Sequence, residues 1–359
     1  MADAWINGKA ATLEAALNEA AKLLQASRMP LIAGLGTDVA GARAAIALAR
    51  KIGGVVDHMH STALFGNLDV MRESGMMITT PNEAHLRADF LLLVGPGLVE
   101  TWQEITMRLF ERPGENTKRR IVWLCPGRSV AEIAARWRMD VIGEDPADLP
   151  VMLAMLRARC AGHPVESAAP HLEKIDTLAS ELALARFGVA VWSAAHDALT
   201  IEMLCGLVKD LNAATRFSSL PLSPPDNAAA VQQVSGWMSG FPLRTSFARG
   251  FPEHDPWRFD AVRLADSGEV DCAMWISAYR PVMPPWKRDL PTIILANEAD
   301  RRAAVTIAVG KPGDDHDSVE YLPATGTLAS VTARRRSEAI SVADAIGGIS
   351  AALPTSSPC

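Results

Sequence analysis

At 359 residues, with 49% apolar and 21% charged side chains, the chain has the composition of a globular protein and enough length for two hydrophobic cores. Its formal charge of −6 argues against a nucleic-acid binder, which would be basic. It contains no uninterrupted apolar run of about 18 residues, the length of a membrane span. The opening stretch has no apolar core of a secretory leader, so the expected location is the cytoplasm, away from any membrane. Cys125, Cys160, Cys205, Cys272 and Cys359 lie far apart with no C-x-x-C pair, which offers no zinc or iron–sulfur framework.

The spacing of apolar residues predicts a first helix over Thr12–Ser27, with Leu13, Ala16, Leu17, Ala20, Leu23 and Leu24 on one face. PLIAGLG, residues 30–36, reads as a buried strand ending in glycines. A helix from Asp38 stopped by Gly53–Gly54 follows, and then a strand, GVVDHMH. This β–turn–α–β logic recurs at Ala88–Gly97 with a helix at Glu100–Phe110, and at Arg120–Gly127 with one at Val130–Trp137. A helix at Leu149–Cys160 closes the first half. Beyond the polar stretch Gly162–Pro170, Phe187–Ser193 is a strand and Ala198–Leu211 a helix. Val270–Ser277, Leu290–Ala296 and Ala304–Val309 are further strands. Continuous apolar runs of this kind mark parallel strands buried on both faces. The expected organisation is two Rossmann-like α/β domains, 1–161 and 171–333, followed by a C-terminal helix and frayed tail over 334–359.

Residues 221–256 fit neither strand nor helix period, apart from a short helix near Asn227–Met238. Gly236, Gly240, Gly250, Pro242, Pro252 and Pro256 punctuate the stretch as an ordered loop system. Trp237, Phe241, Phe247 and Phe251 are expected to pack over a site or against a partner.

Gly34-Leu35-Gly36-Thr37-Asp38 has the form of a turn that brings backbone amides to an anion at a helix start, with Asp57 placed for a ribose contact. It is not a full dinucleotide fingerprint, so a structural turn and a nucleotide-like ligand both stay open. Gly95-Pro96-Gly97 is weaker, because Pro96 lacks an N–H. His58 and His60 alternate on a strand end and would share a face, with His85 and Glu83 in reach only if a separate loop joined them. Two histidines are too few for a closed metal site, and hydrogen-bonded histidines are the expectation. His196-Asp197 reads as the start of a helix, and Arg334–Arg336 as a solvated or salt-bridged surface.

Several segments resemble the catalytic B subunit of formylmethanofuran dehydrogenases. Asn227, Val234, Trp237, Gly240, Phe241 and Pro242, then Phe247, Arg249, Gly250, Pro252 and Pro256, match its unusual loop. Leu23–Asp57, Arg87-Ala88-Asp89, Ile121–Arg128 and Val270–Pro281 match its strands. The resemblance implies the two-domain molybdopterin-oxidoreductase fold, without the N-terminal iron–sulfur segment. It also implies a position for the metal-ligating cysteine or selenocysteine, which here falls on Ala63, Leu64 or Phe65, none of which can ligate. The family's D-P-R becomes Cys125-Pro126-Gly127, followed by Arg128.

The expectation is therefore a redox-inactive relative without cofactor or metal. Its vestigial cavity would involve Gly34, Gly36, Thr37, Ala63, Leu64, Phe65, Gly95, Cys125 and Arg128, partly filled by Met59, Leu64, Phe65 and Trp123. The resemblance is greatest to B subunits of the formyltransferase/hydrolase complex of methylotrophic one-carbon metabolism. It implies as partners an amidohydrolase A subunit, a β-helical C subunit, a formyltransferase D subunit and a methanofuran-type carrier. Two alternatives are a working molybdenum or tungsten pterin subunit and a domain like the nucleotide-binding part of thiamine-diphosphate enzymes. RMPLIAGLG…ALARKIGGVV resembles the latter.

Overall fold

The computed structural model describes residues 3–111, 119–127, 130–166, 168–194, 196–298, 303–335 and 337–354. The chain divides into two compact units. Unit one contains residues 1–61, 225–321 and 328–359, and unit two contains 62–224 and 322–327. The sequence-based division at 162–170 therefore differs from the observed one, because it falls inside unit two. The cause lies in chain topology. Unit one lays down four strands of its sheet, the chain builds unit two, and it then returns to complete the first sheet. A polar, proline-bearing stretch marks a surface turn as readily as a domain boundary.

The centre of unit one is a parallel sheet in the order Val55–Val56, Pro30–Gly36, Cys272–Ser277, Thr292–Ala296, Val305–Ala308. Antiparallel strands extend it at both edges: Thr245–Ser246 and Glu253–His254 at one, Ala4–Ile6 and Lys9–Ala11 at the other. PLIAGLG, CAMWIS and TIILA are buried along their whole length, as strands covered on both faces require. Leu31, Ala33, Trp275 and Ile294 pack on one face with Phe259, Leu264 and Ala265. Helices Leu13–Ala26, Val39–Ile52 and Val342–Ala352 pack together in another layer. Asp38 caps the second of these, its carboxylate accepting the Gly41 N–H at 2.9 Å, and Gly53 ends it at φ 69°.

Unit two holds a five-stranded parallel sheet in the order Asp140–Ile142, Arg120–Leu124, Phe90–Val94, Gly188–Ser193, Phe217–Leu222. Alternation sends Leu92, Val94, Val122, Leu124 and Trp192 to one core, and Leu91, Leu93, Ile121, Trp123 and Val191 to the other. Burying each such side chain contributes about 1.5–3 kcal/mol, so this double core dominates the stability of the unit.

Two local expectations need correction. The strand after Gly54 ends at Val56, so His58 and His60 sit in a turn rather than on one strand face. Its geometry is set by the Met59 N–H bonding Gly34 O at 3.0 Å and the His58 N–H bonding Ser61 Oγ at 3.1 Å. The helix expected at 100–110 is two, Leu98–Thr101 and Gln103–Phe110, because Trp102 between them leaves helical geometry at φ −124° and ψ 43°. Of the loop aromatics only Phe247 is buried; Trp237, Phe241 and Phe251 are exposed. The helix Ala228–Ser239 does form within that segment. No helix among the described residues is long and apolar enough to cross a membrane.

Candidate functional site

In an open parallel sheet, ligands bind beyond the carboxyl ends of the strands where the strand order reverses. In unit one that place lies between Pro30–Gly36 and Cys272–Ser277. Gly34 turns there at φ 80°, and a Cβ would come within 2.6 Å of Ile276 O, so only glycine fits. The Thr37 N–H is already bonded to Leu35 O at 2.8 Å.

The turn Asp226-Asn227 packs beside these strand ends, both residues being left-handed at φ 57° and 59°. The Asp226 side chain is 4% exposed. Its carboxylate accepts from Arg280 Nε at 2.9 and 3.0 Å and lies 2.9 Å from His60 Nε2. Burial alone would raise its pKa, but the hydrogen bonds from His60 and Arg280 and the charge of Arg280 outweigh that and hold it well below the usual carboxylate range. Asn227 continues the clasp: its Nδ2 donates to Thr37 O at 2.9 Å, and its Oδ1 accepts the Tyr321 N–H at 2.9 Å.

His58 lies beneath this clasp, 3% exposed. Its Nδ1 accepts the His60 N–H at 3.0 Å, so Nε2 carries the proton and donates to Asp226 O at 3.2 Å. Burial, then the neighbouring His60, push its pKa down to about 3, so the ring is neutral. Asp57 is opposite in sense. Burial raises its pKa to about 6 against the pull of Arg244, although its Oδ2 accepts the Ala261 N–H at 2.9 Å. Arg244 lies 3.4 Å from Asp57 and 2.5 Å from Asp260. Asp57 is thus committed to a structural ion pair rather than to a ribose. Burial, with the charges of Glu320 and Asp38, also holds the Tyr279 phenol well above its ordinary pKa.

The residues expected to line a vestigial cavity are divided between the units. Gly34, Gly36 and Thr37 belong to the switch point of unit one. Ala63, Leu64 and Phe65 lie in the helix Ser61–Ser74 of unit two, with Leu64 and Phe65 buried. Gly95 and Cys125 end strands of unit two. Cys125 is fully buried at φ 48°, its thiol pushed up to about 11 by burial, and its Sγ is 3.3 Å from Met152 Sδ. Arg128 lies outside the described residues. His85 sits in unit two, with Nδ1 2.7 Å from Arg108 O, while His58 and His60 belong to unit one. Asp197 caps the helix Ala198–Leu211, as expected. Arg334 and Arg335 pair with Asp314 and Asp315, while Arg336 is outside the described residues. Asp226, Tyr279, Arg280 and Glu320 were not singled out from the sequence, and Asn227 was noted only as part of the loop resemblance. Pro224-Pro225 ahead of an Asp-Asn pair was the available signal for a turn, but nothing in it pointed to residue 60 or 280.

A dinucleotide cofactor would need free amides and open space at such a turn. At the start of the Val39–Ile52 helix, the Asp38 carboxylate holds the Gly41 N–H, and the acidic Glu320 and Asp38 act on Tyr279 beside it. A Cβ on Gly36 would come within 3.1 Å of Met59 Cε, so Met59 already occupies that side. Among the described residues no group of three or more His, Cys, Asp and Glu side chains is placed to hold a metal.

No family model matches the sequence. It is 34% identical over 334 residues to the B subunit of the formyltransferase/hydrolase complex, Fhc, of Methylorubrum extorquens, covering 91% of this chain and 90% of that one. It is 25% identical to the B subunit of the tungsten-containing formylmethanofuran dehydrogenase 2 of Methanocaldococcus jannaschii. That alignment covers 74% of this chain but only 64% of the tungsten protein, which falls short of two thirds of its length. The fold matches a chain in the crystal structure of the formyltransferase/hydrolase complex FhcABCD from Methylorubrum extorquens in complex with methylofuran. The TM-score is 0.85 at 33% identity, over 96% of this chain and 97% of that one. A two-unit α/β chain that aligns nearly end to end with one such subunit, in sequence and in fold, belongs to the B-subunit family of formyltransferase/hydrolase complexes.

Proposed function

We propose that this chain is a non-catalytic, redox-inactive B subunit of a formyltransferase/hydrolase complex, working in the cytoplasm. Its partners would be the amidohydrolase A, β-helical C and formyltransferase D subunits, together with a methanofuran-type carrier. The complex would move a formyl group from formyl-tetrahydromethanopterin to the carrier and release it as formate. The observation that carries this reading is the near-complete alignment, in sequence and fold, with one chain of the FhcABCD complex.

The side chains support the redox-inactive part. The stretch HSTALFGN, residues 60–67, offers no thiol, and its Ala63, Leu64 and Phe65 have no metal-binding atoms. Cys125 is buried with a raised pKa, which keeps it a neutral thiol away from metal chemistry. The acidic surroundings of Gly34–Asp38 do not suit a pterin dinucleotide. Trp237, Phe251 and Trp257, at 62%, 51% and 72% exposure, suit a surface that partner subunits cover. The chain then shapes and holds the complex, while formyl transfer and hydrolysis belong to the other subunits.

Co-expression with the A, C and D subunits tests the assignment. The expected outcome is a stoichiometric complex that releases formate from the formylated carrier, while the isolated chain shows no such activity. Formate release by A, C and D alone at the full rate, with no stable association of this chain, would contradict it.

A further inference from the structure

In unit two the sheet reverses order between Phe90–Val94 and Gly188–Ser193, which places its ligand crevice beyond those two strand ends. The first strand runs into Gly95-Pro96-Gly97, and the second into the turn that carries His196. The imidazole of His196 lies on Gly95. Its Nε2 is 3.2 Å from Val94 O, and a Cβ built on Gly95 would come within 2.1 Å of the ring's Cε1 and 2.5 Å of Nε2. Gly95 is thus the only residue type that admits the histidine, a packing reason beyond its φ of 76°.

At the Gly95-Pro96 step no backbone N–H is left for an anion. The Gly95 N–H donates to Leu124 O at 2.9 Å, and Pro96 has no N–H. Gly95 O accepts the Trp123 Nε1–H at 2.8 Å. Both flanks of the histidine are fixed. Asp197 accepts the Thr200 N–H and Oγ1–H, each at 2.9 Å, and a Cβ on Gly66 would come within 3.4 Å of His196 O. A merely cap-adjacent histidine would point to solvent. This one is turned inward, and a glycine makes room for it.

We infer that the His196 imidazole is a built-in occupant of the ligand crevice of unit two, so that no nucleotide enters there and loss of the ring uncovers a site for a planar, imidazole-sized heterocycle. The role of this side chain is to stand where an external ring would stack, its Nε2–H donating to the Val94 carbonyl. This goes beyond the assignment to the complex and does not rest on it, since it concerns unit two alone and is read without formate release.

The test is chemical rescue of His196→Gly in the full-length chain, followed by thermal unfolding with and without imidazole. The variant is expected to melt several degrees below the parent and to recover part of that loss saturably with millimolar imidazole, while the parent does not respond. A folded variant that ignores imidazole would overturn the inference. Gly95→Ala supplies a second arm. Its cost should shrink in the His196→Gly background, because only backbone strain remains once the ring is gone, and strictly additive costs would count against the plug. Should the glycine variant not fold, the parent still carries the test. ADP and NAD⁺ at millimolar concentration should leave the His196 ring resonances unmoved, and a saturable shift would show the crevice open.

Discussion

The two units present the same device, a parallel sheet with a reversal in strand order, and close it by different chemistry. Unit one closes with charge: Arg280 and His60 converge on a buried Asp226, and Asn227 ties Thr37 to Tyr321. Unit two closes with a ring stacked on a glycine above an apolar double core. A charged closure depends on every partner being present, since a buried charge left alone costs several kcal/mol. An apolar closure depends on volume and loses stability in proportion to what is removed. The two units should therefore fail differently under mutation and under pH.

The largest effect is expected in the core of unit two. Leu92 is fully buried, and Leu92→Ala should cost about 4 kcal/mol in urea unfolding, with hydrogen exchange rising across the five-stranded sheet. A loss below about 1 kcal/mol would mean that the core is not packed as described. Asp226→Ala should cost about 3 kcal/mol, less than a fully buried pair because the Arg280 side chain is 52% exposed. Its exchange signature should be confined to the segments around residues 58–61, 226–228 and 280. If protection were lost evenly over both units, the clasp would not be local.

The pH response separates two buried groups of unit one. The pKa of Asp57 is raised from 3.8 to about 6, so its proton is held more tightly in the folded chain. That contribution is complete below about pH 4 and disappears as pH rises through 6, at most about 3 kcal/mol. Asp57→Asn should consequently gain in melting temperature relative to the parent between pH 4 and 7, and a pH-independent difference would refute the assignment. His58 runs the other way. Its folded pKa, about 3, lies below the ordinary 6.5, so its stabilisation is present above pH 6.5 and lost as pH falls. His58→Gln should shift the acid-unfolding midpoint to lower pH. The smallest effect belongs to the exposed pair Arg249–Glu253, where Arg249→Ala should change stability by less than about 0.5 kcal/mol.

Strand by strand, much of the fold was legible, because FLLLV, GVAVWS, CAMWIS and TIILA are apolar runs whose only stable home is a sheet covered on both sides. Helix caps such as Asp38 and Gly53 were legible for a related reason, since they act within four residues. The division into units was not. Whether the strand after residue 55 continues its own sheet or departs to another depends on contacts more than 160 residues away, such as His60 with Asp226. The site suffered most from this distance. Asp226 and Arg280 carry no motif, and His196 looked like the neighbour of a cap because its ring reaches back 102 positions to Val94.

The central claim, a chain that has kept the fold without its redox centre, is tested most directly by assaying molybdenum, tungsten and extractable pterin in the complex purified with its native partners. The account predicts none at stoichiometric level alongside steady release of formate from the formylated carrier. Stoichiometric metal and pterin that stay with this chain when the complex is dissociated would contradict it.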